Sequence, residues 1–220
     1  MGIKKINSLF FCGCSFTYGE ELPKNNREKL NFAGLLGQKL NLSVYNYAKP
    51  AGSNDRIHRK TFVELPKLLD HGLTPLVIIP WTQHHRREIF DVEKNIYRNI
   101  DFPSFNTTID EFDKLYFTKY STDEDDALTT LIVKLSVQSF LKCLSLPYLF
   151  IEAFDEVPAI PKQYLHLLTM LDTRYIIPTN LGKIYKGCQM GPNGHPLEQG
   201  HQMIADYLCP IIYNIYKDKL

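Results

Sequence analysis

The chain has 220 residues, 44% hydrophobic and 22% charged, which is enough for one globular domain with a full core. Twenty-five Lys and Arg against 24 Asp and Glu leave a formal charge of +1, so no electrostatic footprint marks it for nucleic acid or an acidic membrane surface. A small or neutral ligand is the expected partner, and no nucleic acid or membrane is expected.

Five cysteines (Cys12, Cys14, Cys143, Cys188, Cys209) are an odd number without CxxC spacing. They argue against a disulfide framework or a zinc site and for reduced thiols in a cytoplasm-like compartment. The N-terminal apolar run is interrupted by Asn7 and Ser8 with no small-residue cleavage site after it, so it reads as a first strand rather than a signal peptide. No stretch approaches the roughly 18 apolar residues of a membrane span, and a cytoplasmic location is expected.

Residues 6–12 (INSLFFC) form a short apolar, aromatic run that stops at Gly13, which predicts a buried strand entering a tight turn. In residues 31–40, Phe32, Leu35, Leu36 and Leu40 recur at helical spacing behind Asn31 as N-cap. Residues 42–48 are β-rich and run into the loop cluster AGSND, after which residues 56–69 resume a helical pattern. Residues 76–79 (LVII) end at Pro80, the signature of a central parallel strand covered on both faces, and WTQHHRRE follows.

Residues 91–126 lack sustained periodicity and are expected to be an insertion or lid within a single domain spanning 1–220. Residues 127–146 carry a strong helical stripe behind the acidic run DEDD. Residues 148–153 predict another strand, residues 162–171 a helix and residues 198–216 a long last helix. This alternation predicts an α/β fold, a three-layer α/β/α sandwich with a mostly parallel sheet.

In such sheets ligands gather beyond the carboxyl ends of the strands. Ser15, in GCSFTYG, follows the first strand, where neighbouring glycines let the backbone bend and present its oxygen. A serine needs a base and oxyanion donors to act as a nucleophile. His195 stands in the turn-rich stretch GPNGHP before the last helix and can present an imidazole. His201, inside the helical pattern, reads as structural or surface. Of the cluster His84, His85, Arg86 and Arg87, a solvated or anion-facing loop is expected, with no metal. No cofactor is indicated.

GCSFTYG together with NGHP resembles the SGNH, or GDSL-type, hydrolases, and AGSND is similar to that family's second block. The resemblance implies a flavodoxin-like fold, Ser15 as nucleophile, His195 as base and the Gly52 amide as an oxyanion donor, with Asn54 beside it. It implies cleavage of ester or O-acetyl groups on small molecules or carbohydrates through an acyl-enzyme.

The chain departs from the pattern twice. Where the third block commonly reads GxND, this chain has PWTQ, leaving Thr82 or Gln83 as side-chain donor and Trp81 as a substrate contact or a packing residue. Three residues before His195, where the family carries aspartate, stands Pro192, and Asn193 is the nearest polar candidate to orient the imidazole, with a dyad or a carboxylate from elsewhere as alternatives. The departures also fit a non-catalytic SGNH-like binding module. A phosphate- or nucleotide-binding loop ranks lower, because neither GxxxxGK[ST] nor GxGxxG is present.

Overall fold

A computed structural model describes residues 5–100, 111–155 and 159–220. β1 (Ser8–Phe11) is buried at every position. It runs through Gly13 into α1 (Ser15–Tyr18), a single turn closed by Gly19 in the left-handed region. α2 (Arg27–Leu30) leads into α3 (Phe32–Leu40), whose N-cap Asn31 accepts from the Gly34 N–H.

β2 (Ser43–Asn46) precedes α4 (Asn54–Asp70), capped by Ser53. β3 (Pro75–Trp81) is wholly buried. β4 (Arg87–Asp91) and β5 (Ile96–Ile100) form an antiparallel hairpin, and α5 (Glu111–Lys119) follows. The expected insertion or lid therefore opens as a hairpin; its residues 101–110 lie outside the described residues.

α6 (Asp123–Cys143) begins four residues earlier than its apolar stripe, because Thr122 caps it and four acidic residues fill its first turn. β6 (Tyr148–Glu152) follows. Residues 162–171, expected as an α-helix, contain a 3₁₀ segment, Lys162–Met170, with no buried residue, so little packing enforces the wider α-helical turn. β7 (Ile176–Asn180), α7 (Leu181–Ile184) and α8 (Glu198–Tyr216) complete the chain.

The main sheet has the order β2-β1-β3-β6-β7, parallel throughout. Counting its own strands, this is the flavodoxin-like order 2-1-3-4-5, whose switch point lies between β1 and β3. The pleat divides the core. Leu9, Phe11, Leu76, Ile78, Leu149 and Ile151 face the layer of α3 and α8, whereas Phe10, Val77, Ile79, Tyr148 and Phe150 face α4 and α6. The fold is thus the three-layer α/β/α sandwich expected, with Ser15 and Thr82 just past the two strands that flank the switch point. Among the described residues no helix is long and apolar enough to cross a membrane.

Candidate active site

The first wall of the site is set by Gly13. A Cβ there would stand 2.3 Å from Thr17 Oγ1 and 3.3 Å from Pro80 O, so only glycine lets the first turn of α1 fold tightly beside the end of β3. The Thr17 and Tyr18 N–H groups donate to Cys14 O at 3.1 and 3.0 Å. Three side chains then take the last carbonyls of this turn. Asn46 Nδ2 donates to Thr17 O at 2.9 Å, Asn31 Nδ2 to Tyr18 O at 3.2 Å and Arg27 Nε to Gly19 O at 3.1 Å. Ser15 heads this immobilised turn, 6% exposed, and as its first residue has an N–H without an intrahelical acceptor.

His195 is held by a carboxylate that the sequence analysis did not single out. Its Nδ1 donates to Glu21 Oε2 at 3.0 Å, and its main-chain N–H donates to the same oxygen at 3.1 Å. The Asn193 N–H donates to Glu21 Oε1 at 2.9 Å, with Asn193 Nδ2 further off at 3.4 Å. The Asn193 N–H first, then the His195 N–H and ring, hold the Glu21 carboxyl below the usual carboxylate range against the opposing effect of burial.

Gly191 makes room for this arrangement, since a Cβ there would stand 2.6 Å from the Glu21 carboxyl. Glu21 sits at φ 66°, an uncommon left-handed conformation for a residue with a side chain. The ring of His195 packs at a tilt against Phe16, the residue after Ser15, with ring centroids 5.3 Å apart.

The imidazole's partner, for which Asn193 was the nearest polar candidate and a carboxylate from elsewhere an alternative, is thus Glu21, six residues after Ser15, and Asn193 contacts that carboxylate rather than the imidazole. The signal available for it was the pair of carboxylates in YGEEL, unattached to any spacing rule.

The remaining expected residues divide. Gly52 packs against the serine loop, where a Cβ would lie 2.9 Å from Gly13 O, but its N–H donates to Lys49 O at 3.0 Å and so closes its own turn rather than standing free for an oxyanion. Asn54 is a clamp rather than a cleft residue. It is 2% exposed, accepts from the Thr82 N–H and donates to Thr82 O, both at 3.0 Å, and also donates to Thr130 Oγ1 at 3.3 Å.

Thr82 is thereby fixed at the end of β3, its own Oγ1 buried and without a partner among the described residues. Gln83 accepts from Arg86 Nε at 3.0 Å through Oε1. Trp81 is 1% exposed in the core on the α4 and α6 side, edge-on to Phe150 at 5.2 Å, so the substrate contact considered for it gives way to packing.

His201 is buried and structural: its Nδ1 accepts from the Phe32 N–H at 3.2 Å at the start of α3. Among the described residues no group of three or more His, Cys, Asp or Glu side chains is gathered to hold a metal.

Solved structures share this fold at low sequence identity. TesA is 13% identical with a TM-score of 0.56, covering 95% of this chain and 99% of its own. A putative lipolytic protein of the G-D-S-L family from Desulfitobacterium hafniense is 10% identical with a TM-score of 0.56, over 93% of this chain and 99% of that one. A family two carbohydrate esterase from Clostridium thermocellum, solved in complex with cellohexaose, is 15% identical with a TM-score of 0.56, over 96% of this chain and 65% of that one. These likenesses show that the chain shares its α/β fold with these structures. No curated protein matches the sequence. The model of one family, DUF6071, a family of unknown function, matches residues 20–172.

Proposed function

The chain belongs to the DUF6071 family of unknown function, and from that premise we propose that it is a serine hydrolase cleaving ester or O-acetyl groups through an acyl-enzyme. The observation that carries this reading is the 3.0 Å contact between Glu21 Oε2 and His195 Nδ1, on an imidazole that packs against the residue next to Ser15. The likeness to a putative lipolytic protein and to a carbohydrate esterase solved with cellohexaose supports an ester or carbohydrate-ester substrate.

In this reading the ionised Glu21 keeps the proton of His195 on Nδ1, which leaves Nε2 as the base. Nε2 takes the Ser15 hydroxyl proton as Oγ attacks the ester carbonyl. The alkoxide that forms is held by the Ser15 N–H, with the buried Thr82 hydroxyl as the side-chain donor where the family pattern has asparagine. The imidazolium, stabilised by the Glu21 charge, protonates the departing alcohol. Water, deprotonated by the same histidine, then releases the acyl group and restores Ser15.

Glu21 supplies the charge that an asparagine in the same position could not, so the lost aspartate at Pro192 does not demand a dead site. The test is the hydrolysis of short-chain 4-nitrophenyl esters by the full chain and by its Ser15→Ala form. Loss of turnover to background in Ser15→Ala supports the reading, and an unchanged rate removes it.

A further inference from the structure

Buried polar atoms without a hydrogen-bond partner are few in folded proteins, and each asks for an explanation. Among the described residues seven side chains carry one, and five of them, Thr17, Glu20, Trp81, Thr82 and Arg86, lie just after β1 or at and just after the end of β3. The unsatisfied atoms thus concentrate where the two strands flanking the switch point deliver their loops. Arg86 is the one that brings a positive charge.

Arg86 is fixed rather than waving. Its Nε donates to Gln83 Oε1 at 3.0 Å, and its guanidinium lies over the Phe154 ring, 5.2 Å from the centroid. Phe154 in turn meets Phe16 edge-on at 5.1 Å, and Phe16 carries His195 at 5.3 Å. One aromatic ring therefore separates the guanidinium from the residue that follows Ser15. Other members of the same run are satisfied within the chain: His84 meets Asp123, and Arg87 meets Asp55 at 2.9 Å and Asp126 at 3.2 Å. Arg86 Nη1 is buried and has no acceptor among the described residues. A buried charged donor left unpaired costs more than a neutral one, and a planar guanidinium held by its Nε presents its remaining N–H groups as a fork suited to a carboxylate or phosphate.

We infer that Arg86 is a specificity residue that holds an anionic oxygen group of the substrate while the scissile ester sits at Ser15. This rests on the hydrolase reading and narrows it from esters in general to negatively charged esters.

The test pairs mono-4-nitrophenyl glutarate with the uncharged 4-nitrophenyl butyrate, in turnover by the full chain and in calorimetric binding to its Ser15→Ala form. A charged hydrogen bond made by Arg86 predicts kcat/KM about tenfold or more higher for the half-ester, and a similar ratio in binding. Arg86→Gln collapses that ratio towards one, and Arg86→Lys, which keeps the charge but not the fork, retains part of it. Because the ratio is taken within one protein, a general loss of fold or rate does not imitate this result. Equal values for the two esters, or a preference that survives Arg86→Gln, overturn the inference. Selective binding of the half-ester without any turnover would instead sink the hydrolase reading and leave the Arg86 assignment standing.

Discussion

Glu21 Oε2 lies 3.0 Å from His195 Nδ1, joining residues 174 positions apart in the chain. The carboxylate reaches the imidazole from the segment just after the serine turn, and the main-chain N–H groups of Asn193 and His195 grip it from the opposite loop. The proposed nucleophile and its acid thus stand on one short stretch, Ser15 to Glu21, and the histidine loop is tied to the second of them.

If Glu21 orients His195 and balances its charge, Glu21→Gln lowers kcat by roughly 10²–10⁴-fold with a much smaller change in KM, because the interaction strengthens chiefly as the imidazolium forms. Steady-state kinetics on a 4-nitrophenyl ester checks this. A purely structural Glu21 would show instead a lowered melting temperature with kcat of the folded fraction unchanged.

Asn54→Ala removes three buried hydrogen bonds, two of them to the Thr82 main chain. Leaving those groups unpaired is expected to cost about 2–4 kcal/mol of stability, read as a lower denaturant midpoint with an unchanged m-value. Stability equal to that of the parent protein would show that Thr82 does not depend on this clamp.

Burial pushes the pKa of His201 down to about 4, with the nearby His195 adding in the same direction. Between that value and the ordinary 6.5 the unfolded chain binds a proton that the folded chain refuses, so stability falls as pH drops through this window, by about 3 kcal/mol in all, and levels off below it. His201→Gln, which keeps an acceptor for the Phe32 N–H, flattens that part of the stability-against-pH curve. An identical slope in parent and variant would place the titration elsewhere.

Periodicity made most of the sheet and the long helices legible. Residues 198–216 read as a helix and form α8 with those bounds, and LVII lies inside the buried β3. β7 escaped because Pro178 interrupts its pattern, and a proline is tolerated there since the strand is at the sheet edge with Pro178 exposed. The hairpin of β4 and β5 escaped because it is held from outside its own sequence, by the Arg59 fork on Glu88 and the Arg87 pairs with Asp55 and Asp126.

At the site, the serine and histidine loops could be located from glycine, proline and strand ends. Glu21 could not, since its role depends on a left-handed φ and on the space left by Gly191 far along the chain. Asn54 read as a loop residue beside Gly52, the glycine expected as an oxyanion donor, and only the folded chain shows its amide turned onto Thr82.

The most direct measurement is intact mass after exposure of the full chain to a fluorophosphonate, with peptide mapping of the adduct. One phosphonyl group on Ser15 in the parent chain, and none in Ser15→Ala, is the predicted result. A folded parent chain that takes no label, or a label undiminished in Ser15→Ala, would contradict the assignment of Ser15 as nucleophile.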